Sequence, residues 1–283
     1  MKYGDALSTI ARLLYYRFSN PVDLHEGRML ENPFATEFLQ RAAPYLTALI
    51  CDNQAIIDKD RRTLDATAGG YSLLPALLGD FEAPVRPVPP LQAGAERPPS
   101  KRLLWASRIS REKRISLLGP LARALQSDLP GVVIECRGAG DESALGSERP
   151  DNLLFAGGFD HPLELQLENY DGFIYTSLYD GMPNIVVEAL SQGATVVASN
   201  VGSIGHYIEH GVSGYLVEQT GDDVTDALRF AEAIKHMYQH WDVQGGLRIA
   251  AVASISAHDR DSYLRNTECL MQTIDSGRYR TRV

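Results

Sequence analysis

One stretch constrains the chain more than any other: Tyr170 to Tyr215, YDGFIYTSLYDGMPNIVVEALSQGATVVASNVGSIGHYIEHGVSGY. It opens with an apolar run, Gly172 to Thr176, that reads as a buried strand. A loop with Asp180, Gly181 and Pro183 follows, then a helix from Asn184 to Gln192 that Gly193 closes. A second apolar run, Thr195 to Ser199, ends in a glycine-containing turn, Asn200 to Gly205. Strand, loop, helix, strand, loop is one unit of a parallel α/β sheet. Its polar residues collect where strands end and helices begin, the edge at which such sheets bind ligands.

The same rhythm runs upstream from Lys101. Leu103 to Ala106 reads as a strand, Arg108 to Lys113 as a loop, Ile115 to Gln126 as a helix and Val132 to Cys136 as the next strand. Leu153 to Ala156 is a third strand, and Gly214 to Val217 a short last one. With the two strands of the central stretch this predicts six strands and a complete Rossmann-like, doubly wound parallel-sheet domain over 98–240. Asp226 to Trp241 and Leu247 to Ile274 read as helices, so residues 241–283 are expected to be helical and to pack back toward the N-terminal portion.

Residues 1–97 are thinner. Ala6 to Phe18 has apolar positions at helical spacing (Leu7, Ile10, Leu13, Leu14), and Asn20-Pro21 ends it. Asn32 to Ala42 reads as a second helix, Leu46 to Cys51 as a strand, Gln54 to Ala66 as a helix and Pro84 to Pro90 as an extended segment. Gln92 to Ser100 has the composition of a domain boundary. Two convincing strands fall short of the five or six βα units of a full doubly wound domain, ~150 residues. An incomplete N-terminal α/β portion is expected, in a piece or a shortened relative of a longer protein; the other reading is a small helical cap.

The central loop carries two acids, Asp180 just before the helix and Glu188 about one turn inside it. Pro183 suits the first helical turn, where its missing N–H costs nothing. The first-turn N–H groups favour an anion in the loop. A carboxylate accepts two hydroxyl hydrogen bonds at once, which suits a sugar. Arg108 and Lys113 follow a strand and open a helix, so both can face the same cleft; two cations there would stabilise charge growing on a diphosphate leaving group without a metal. Arg111 and Arg114 read as surface charges. Gly138 and Gly140, within Arg137-Gly138-Ala139-Gly140-Asp141, allow close backbone approach to a ligand. Ser143 stands where a dinucleotide fingerprint needs its third glycine, which argues against a nicotinamide cofactor. Gly157-Gly158-Phe159 follows the next strand, and Phe159 is either a core ring or a ring presented to a ligand. His236 and His240 lack a third ligand and read as a solvated face.

These motifs resemble those of retaining glycosyltransferases of the GT-B fold, close to glycosyltransferase family four. That pattern has Ser, then Glu-Gly-x-Pro, four residues, Glu-Ala, a Gly, and a strand ending near Gly-Gly. Here it stands as Ser177, Asp180-Gly181-Met182-Pro183, Glu188-Ala189, Gly193 and Gly202-Ser203. Asp180 replaces the usual Glu, and Gly202-Ser203-Ile204-Gly205-His206 replaces Gly-Gly-x-x-Glu. The resemblance implies a metal-independent hexosyl transfer with retained configuration from a UDP- or GDP-linked sugar to an acceptor hydroxyl, on a glycan or lipid-linked acceptor. It places Asp180, Arg108 and Lys113 at the chemistry and Glu188 on the ribose. Gly138, Gly140, Gly158, Phe159, Gly181, Met182, Pro183, Asn184, Gly202, Ser203 and His206 would line the donor, with the Gly202-Ser203 turn offering backbone N–H groups to it. The substrate is the nucleotide sugar, and no further cofactor is implied.

Net charge of −9 argues against a general nucleic-acid surface. The three cysteines, Cys51, Cys136 and Cys269, have no metal or disulfide spacing, which fits a reducing cytoplasm. No apolar run reaches the ~18–20 residues that span a bilayer; peripheral membrane association would fall to regions outside this chain. A role in polysaccharide or glycoconjugate synthesis follows from the family's habits. A non-catalytic, partner-binding module of the same fold is the second reading. A GT-B enzyme of another reaction, an epimerase or phosphorylase, is the third, and it lacks a cofactor-lysine motif.

Overall fold

The computed structural model describes residues 98–140, 149–181, 183–256 and the helix 260–275; elsewhere it describes seven short strands and the helical positions 37 and 41. The chain divides into two compact units, 1–84 with 258–283, and 85–257.

In the first unit, β1 (Leu14–Arg17), β2 (Val22–His25), β3 (Arg28–Glu31), β4 (Ala48–Cys51), β5 (Leu73–Leu74) and β6 (Ala76–Leu78) are all short. The order β1-β4-β6 forms a parallel sheet, β2 and β3 a hairpin, and Thr281–Arg282 pairs antiparallel with β5. The expected strand at 46–51 is β4. The expected helix over 6–18 is overturned at residues 14–17, which pair with β4 from Leu14↔Ala48 to Arg17↔Cys51. Leu-Tyr-Tyr-Arg is good strand material, and a neighbouring strand decides between two periodicities that four residues cannot separate. Among the described residues of 1–97 there are six strands rather than two, which also corrects the sequence reading: segments of two to four residues carry too little pattern to be seen. Residues 37 and 41 are helical and joined by an Arg41–Glu37 ion pair at 3.3 Å. The helix expected at 54–66 and the segment 84–90 lie outside the described residues.

The second unit is built on six parallel strands: β7 (Arg102–Ala106), β8 (Val133–Arg137), β9 (Leu153–Phe155), β10 (Gly172–Tyr175), β11 (Val196–Ser199) and β12 (Tyr215–Val217). Their order is β12-β11-β10-β7-β8-β9. Alternate residues serve opposite faces. Leu103, Trp105, Ile134, Cys136, Ile174, Val197, Tyr215 and Val217 enter one core; Leu104, Ala106, Phe173, Tyr175, Val196 and Ala198 enter the other. Both faces are apolar because helices cover both, as parallel sheets require. At the rim strand β12, the Leu216 N–H donates to His210 Nδ1 at 3.1 Å.

Helix α1 (Leu118–Asp128) buries Leu118, Leu121, Ala122 and Leu125, the stripe of an amphipathic helix. A 3-10 turn, Ile115–Leu117, leads into it, so the segment predicted as one helix begins with a tighter turn. On the other face, α2 (Asn184–Ser191) buries Val186, Val187, Ala189 and Leu190. The short α3 (Ile204–Tyr207) precedes β12. Helix α4 (Asp223–Gln239) packs on the α1 face with Phe230, Ala231, Ile234 and Met237 inside; its cap Asp222 accepts from the Thr225 N–H at 2.8 Å. The single helix expected over 247–274 is instead two, α5 (Gln244–Ser254) and α6 (Arg260–Asp275). Among the described residues no helix is long and apolar enough to cross a membrane.

Both tryptophans of the chain, Trp105 and Trp241, belong to this second unit, so their emission reports on it alone. Phe230 is fully buried in the core that holds Trp105. Phe230→Ala is expected to lower the unit's stability by about 3–5 kcal/mol, read as a lower urea midpoint of tryptophan emission.

Candidate functional site

Strand order reverses between β7 and β10. From β7 the chain steps to β8 and β9 on one side, and β10 begins the run to β12 on the other. The crevice beyond the carboxyl ends of two such strands is where open α/β sheets bind ligands. The loop after β7 and the loop after β10 meet there. Lys113 Nζ donates to Asp180 Oδ2 at 2.5 Å and to the Tyr175 hydroxyl at 2.9 Å. The Tyr175 hydroxyl donates to the same Asp180 oxygen, and the Gly181 N–H donates to Oδ1 at 3.0 Å. The Lys113 and Asp180 side chains are 13% and 22% exposed, so solvent screens their charges only in part. Burial first, then the charge and hydrogen bond of Asp180, push the Tyr175 hydroxyl well above the usual tyrosine range, so it remains a donor at neutral pH.

Lys113 is held by its backbone. Its carbonyl accepts from Thr176 Oγ1 at 2.7 Å, and that hydroxyl accepts from Trp105 Nε1 at 2.9 Å. The Glu112 carbonyl accepts from the Leu178 N–H at 2.8 Å and lies 3.1 Å from Ser177 Oγ. Arg108, on the same loop, is 77% exposed and sits 3.5 Å from Glu112. Arg111 is exposed, as the sequence suggested, but Arg114 is not a surface charge. It is 2% exposed, and its guanidinium reaches Asp223, Asp226 and Gln219. A signal for this existed: Asp222, Asp223 and Asp226 crowd one helix start, and the Asp226 carboxylate, facing inward, requires a cation.

Glycines let these loops touch. A Cβ on Gly138 would fall 1.9 Å from the Ser107 carbonyl oxygen, and one on Gly140 2.6 Å from that of Ile109. Backbone bonds from Ser107 N to Arg137 O (3.1 Å), Ile109 N to Ala139 O (2.9 Å) and Gly138 N to Gly157 O (2.9 Å) join three successive loops. Gly202 has φ +59°, and a Cβ there would lie 2.0 Å from Gly181 O. The Ser203 N–H donates to Gly181 O at 3.0 Å. That corrects one expectation: the Ser203 N–H is engaged within the protein and is not offered to a donor, and its side chain is fully buried.

The remaining residues fall around this edge. Glu188 is half-buried in α2, and Asn184 at the start of that helix is exposed. Pro183 is the N-cap, one position earlier than its expected place in the first turn; its carbonyl accepts from the Val186 N–H at 2.9 Å. Met182 lies outside the described residues, as do Asp141 and Ser143. Gly158 is exposed, and its carbonyl accepts from Arg137 at 3.0 Å. Phe159 packs against the second core, which favours the core ring over a freely presented one. His206 is exposed on α3. Sequence reasoning missed Tyr175, which it counted only as a strand residue, and Arg114. Among the described residues no group of His, Cys, Asp and Glu could hold a metal ion.

Residues 100–240 match the family described as glycosyl transferases group 1. This unit is a group 1 glycosyltransferase domain. Part of it is 26% identical, over 147 residues, to the GtfA subunit of a UDP-N-acetylglucosamine–peptide N-acetylglucosaminyltransferase of Streptococcus pneumoniae; the match covers 48% of this chain and 29% of that protein. A Vi polysaccharide biosynthesis protein of Salmonella typhi is 28% identical over 109 residues, covering 36% of this chain and 19% of that one. Among solved structures, pneumococcal O-GlcNAc transferase GtfA with UDP and GlcNAc aligns at TM-score 0.69 and 18% identity, over 97% of this chain and 54% of that one. HepE of Anabaena with UDP-glucose aligns at TM-score 0.63 and 17% identity, over 96% and 75%. The fold of the glycosyltransferase domain and its partner unit is therefore GT-B. The chain spans less than a third of the curated relatives it matches.

In the glycosyltransferase domain, Asp226 is buried and carries a testable charge. Burial alone would raise its carboxyl; donors from Thr220 and Gly221 and the Arg114 guanidinium outweigh that and hold it below the usual range. A depressed folded-state value means stability that is present above the unfolded value, ~3.9, and lost as pH falls through the folded one. Asp226→Ala leaves the buried Arg114 with Asp223 as its remaining carboxylate, removes the acceptor of the Thr220 and Gly221 N–H groups, and should cost about 3 kcal/mol at pH 7. Asp226→Asn should flatten the loss of stability between neutral and acid pH. Urea titrations of tryptophan emission at several pH values check both.

Proposed function

We propose that this chain is the donor-binding part of a retaining, metal-independent glycosyltransferase. It would transfer a sugar from a UDP- or GDP-linked donor to an acceptor hydroxyl, in polysaccharide or glycoconjugate synthesis. One observation carries the reading: a lysine from the loop after β7 and a carboxylate from the loop after β10 meet where strand order reverses. Retention rests on the resemblance of Asp180-Gly181-Met182-Pro183 and Glu188-Ala189 to the family pattern. The solved structures of GtfA in complex with UDP and GlcNAc and of HepE in complex with UDP-glucose support the donor class.

The roles follow from charge. As the glycosidic bond breaks, negative charge grows on the nucleoside diphosphate. Lys113 and Arg108 stabilise it, Lys113 from a site that is mostly shielded from water and Arg108 from an exposed one. Glu188 accepts from the ribose hydroxyls, and Asp180 faces the sugar. Transferring Lys113 from the Asp180 carboxylate to a diphosphate exchanges one anion for another, and the Tyr175 donor remains on Asp180 throughout.

One observation favours the second reading, a partner-binding module without catalysis: both Asp180 oxygens are already engaged within the protein. Calorimetry with UDP, GDP and their sugars separates the two. The transferase reading expects binding to at least one nucleotide. Glu188→Ala should weaken it roughly tenfold or more, as loss of a charge-assisted pair implies. Arg108→Ala with Lys113→Ala should weaken it further. A flat trace with every nucleotide selects the module.

A further inference from the structure

Arg114 adopts φ 51° and ψ 48°, the left-handed region that a residue with a Cβ enters at a cost. It stands between two single-turn 3-10 helices, Arg111–Lys113 and Ile115–Leu117. Neighbouring side chains therefore serve different surroundings. Lys113 meets Asp180 and Tyr175 at the carboxyl edge, while Arg114 meets the start of α4. Its Nε and one terminal nitrogen donate to Asp223 Oδ1 at 2.9 and 2.7 Å; the other donates to Asp226 Oδ2 at 2.8 Å and Gln219 Oε1 at 2.9 Å.

The contacts close into a ring. Gln219 Nε2 donates to the Ser177 carbonyl at 2.6 Å. Thr176 Oγ1, one residue before, donates to the Lys113 carbonyl at 2.7 Å. The residues either side of the Lys113–Arg114 peptide are thus fixed from the loop after β10 and from the loop after β12 together. Asp226 is fixed in turn by the Thr220 N–H at 2.8 Å and the Gly221 N–H at 3.1 Å. A buried ion pair adds little net stability over apolar packing of the same volume; what it supplies is one geometry with the alternatives excluded. A left-handed arginine at that point gains nothing for the core, but it sets the direction in which Lys113 leaves the backbone.

We propose that Arg114 is a positioning residue for the donor diphosphate: it holds the Lys113 ammonium at the strand-order reversal through the Asp223, Asp226 and Gln219 ring. This rests on the reading of Lys113 as a diphosphate contact. Arg114 itself touches no substrate. The arrangement makes donor affinity depend on a side chain that lies behind the cleft.

Two measurements on the full chain test it separately from that reading. The first reads Lys113 without any donor. Competitive labelling with trace acetic anhydride, followed by mass spectrometry, gives its reactivity relative to Lys235. Arg114→Gly, which the left-handed backbone accommodates, should raise Lys113 reactivity several-fold and leave Lys235 unchanged. Asp223→Ala removes two of the four Arg114 bonds at its more exposed end, and serves if the glycine variant does not fold; it should give a smaller rise. Unchanged Lys113 labelling in both variants overturns the proposal. The second is a double-mutant cycle on calorimetric Kd values for UDP and GDP. Lys113→Ala and Arg114→Gly should each weaken binding roughly tenfold, and the double variant no more than Lys113→Ala alone. Losses that multiply, or Arg114→Gly binding like the parent while Lys113→Ala does not, also overturn it. If Lys113→Ala binds like the parent, the donor reading falls, and the labelling result still decides whether Arg114 holds Lys113.

Discussion

The carboxyl edge of this sheet exists because its loops approach one another at backbone distance. Gly138, Gly140 and Gly202 face carbonyl oxygens so closely that a Cβ would overlap them, at 1.9, 2.6 and 2.0 Å. Backbone N–H groups from one loop satisfy the carbonyls of the next, which leaves fewer of them for water and fixes the ledge. Every side chain at the crevice inherits its position from that ledge. Glycine here serves loop-to-loop contact first. The same residue types in a sequence suggest a phosphate cradle, and the Ser203 N–H, bonded to Gly181 O, illustrates how the two roles compete for one donor.

On this ledge the Lys113–Asp180 pair sits between the limits of solvent-exposed and buried ion pairs. Exposed pairs contribute about 0–1 kcal/mol, and fully buried ones can fail to repay their desolvation. Partial shielding keeps the lysine charge strong while leaving it reachable. Tyr175 from inside the core and the Gly181 N–H also donate to Asp180, so the carboxylate keeps partners if the ammonium turns to another anion. Arg114, two residues from the Glu112 turn and fully interior, has the opposite character: its charge is neutralised by two aspartates and is not available outside.

Much of the second unit was legible in the sequence. Apolar runs such as Phe173 to Tyr175 and Val196 to Ala198 placed strands to within a residue or two, because parallel strands buried on both faces have no polar positions to confuse them. Asp180 and Lys113 stood out by their positions after strands, and the structure joins them by a hydrogen bond. What stayed hidden depends on partners remote in sequence. Arg114 meets Asp226 across 112 positions, and nothing local to Arg111-Glu112-Lys113-Arg114 separates a buried arginine from a solvated one. Tyr175 looked like any strand aromatic, since its hydroxyl gains meaning only from Lys113, on another loop. The first unit was read poorly for a different reason: strands of two to four residues fall below the length at which helical and strand periods diverge.

The hydrogen bond from Leu216 to His210 has a consequence for how this molecule ends sideways. An outer strand offers free backbone groups to any passing chain, a standing invitation to sheet extension. Here an imidazole from the preceding turn occupies the N–H that a foreign strand would use, and β12 itself is only three residues long. A ring in place of a neighbour thus terminates the lattice of hydrogen bonds on that side, and self-association through this margin is discouraged by chemistry already built into the turn.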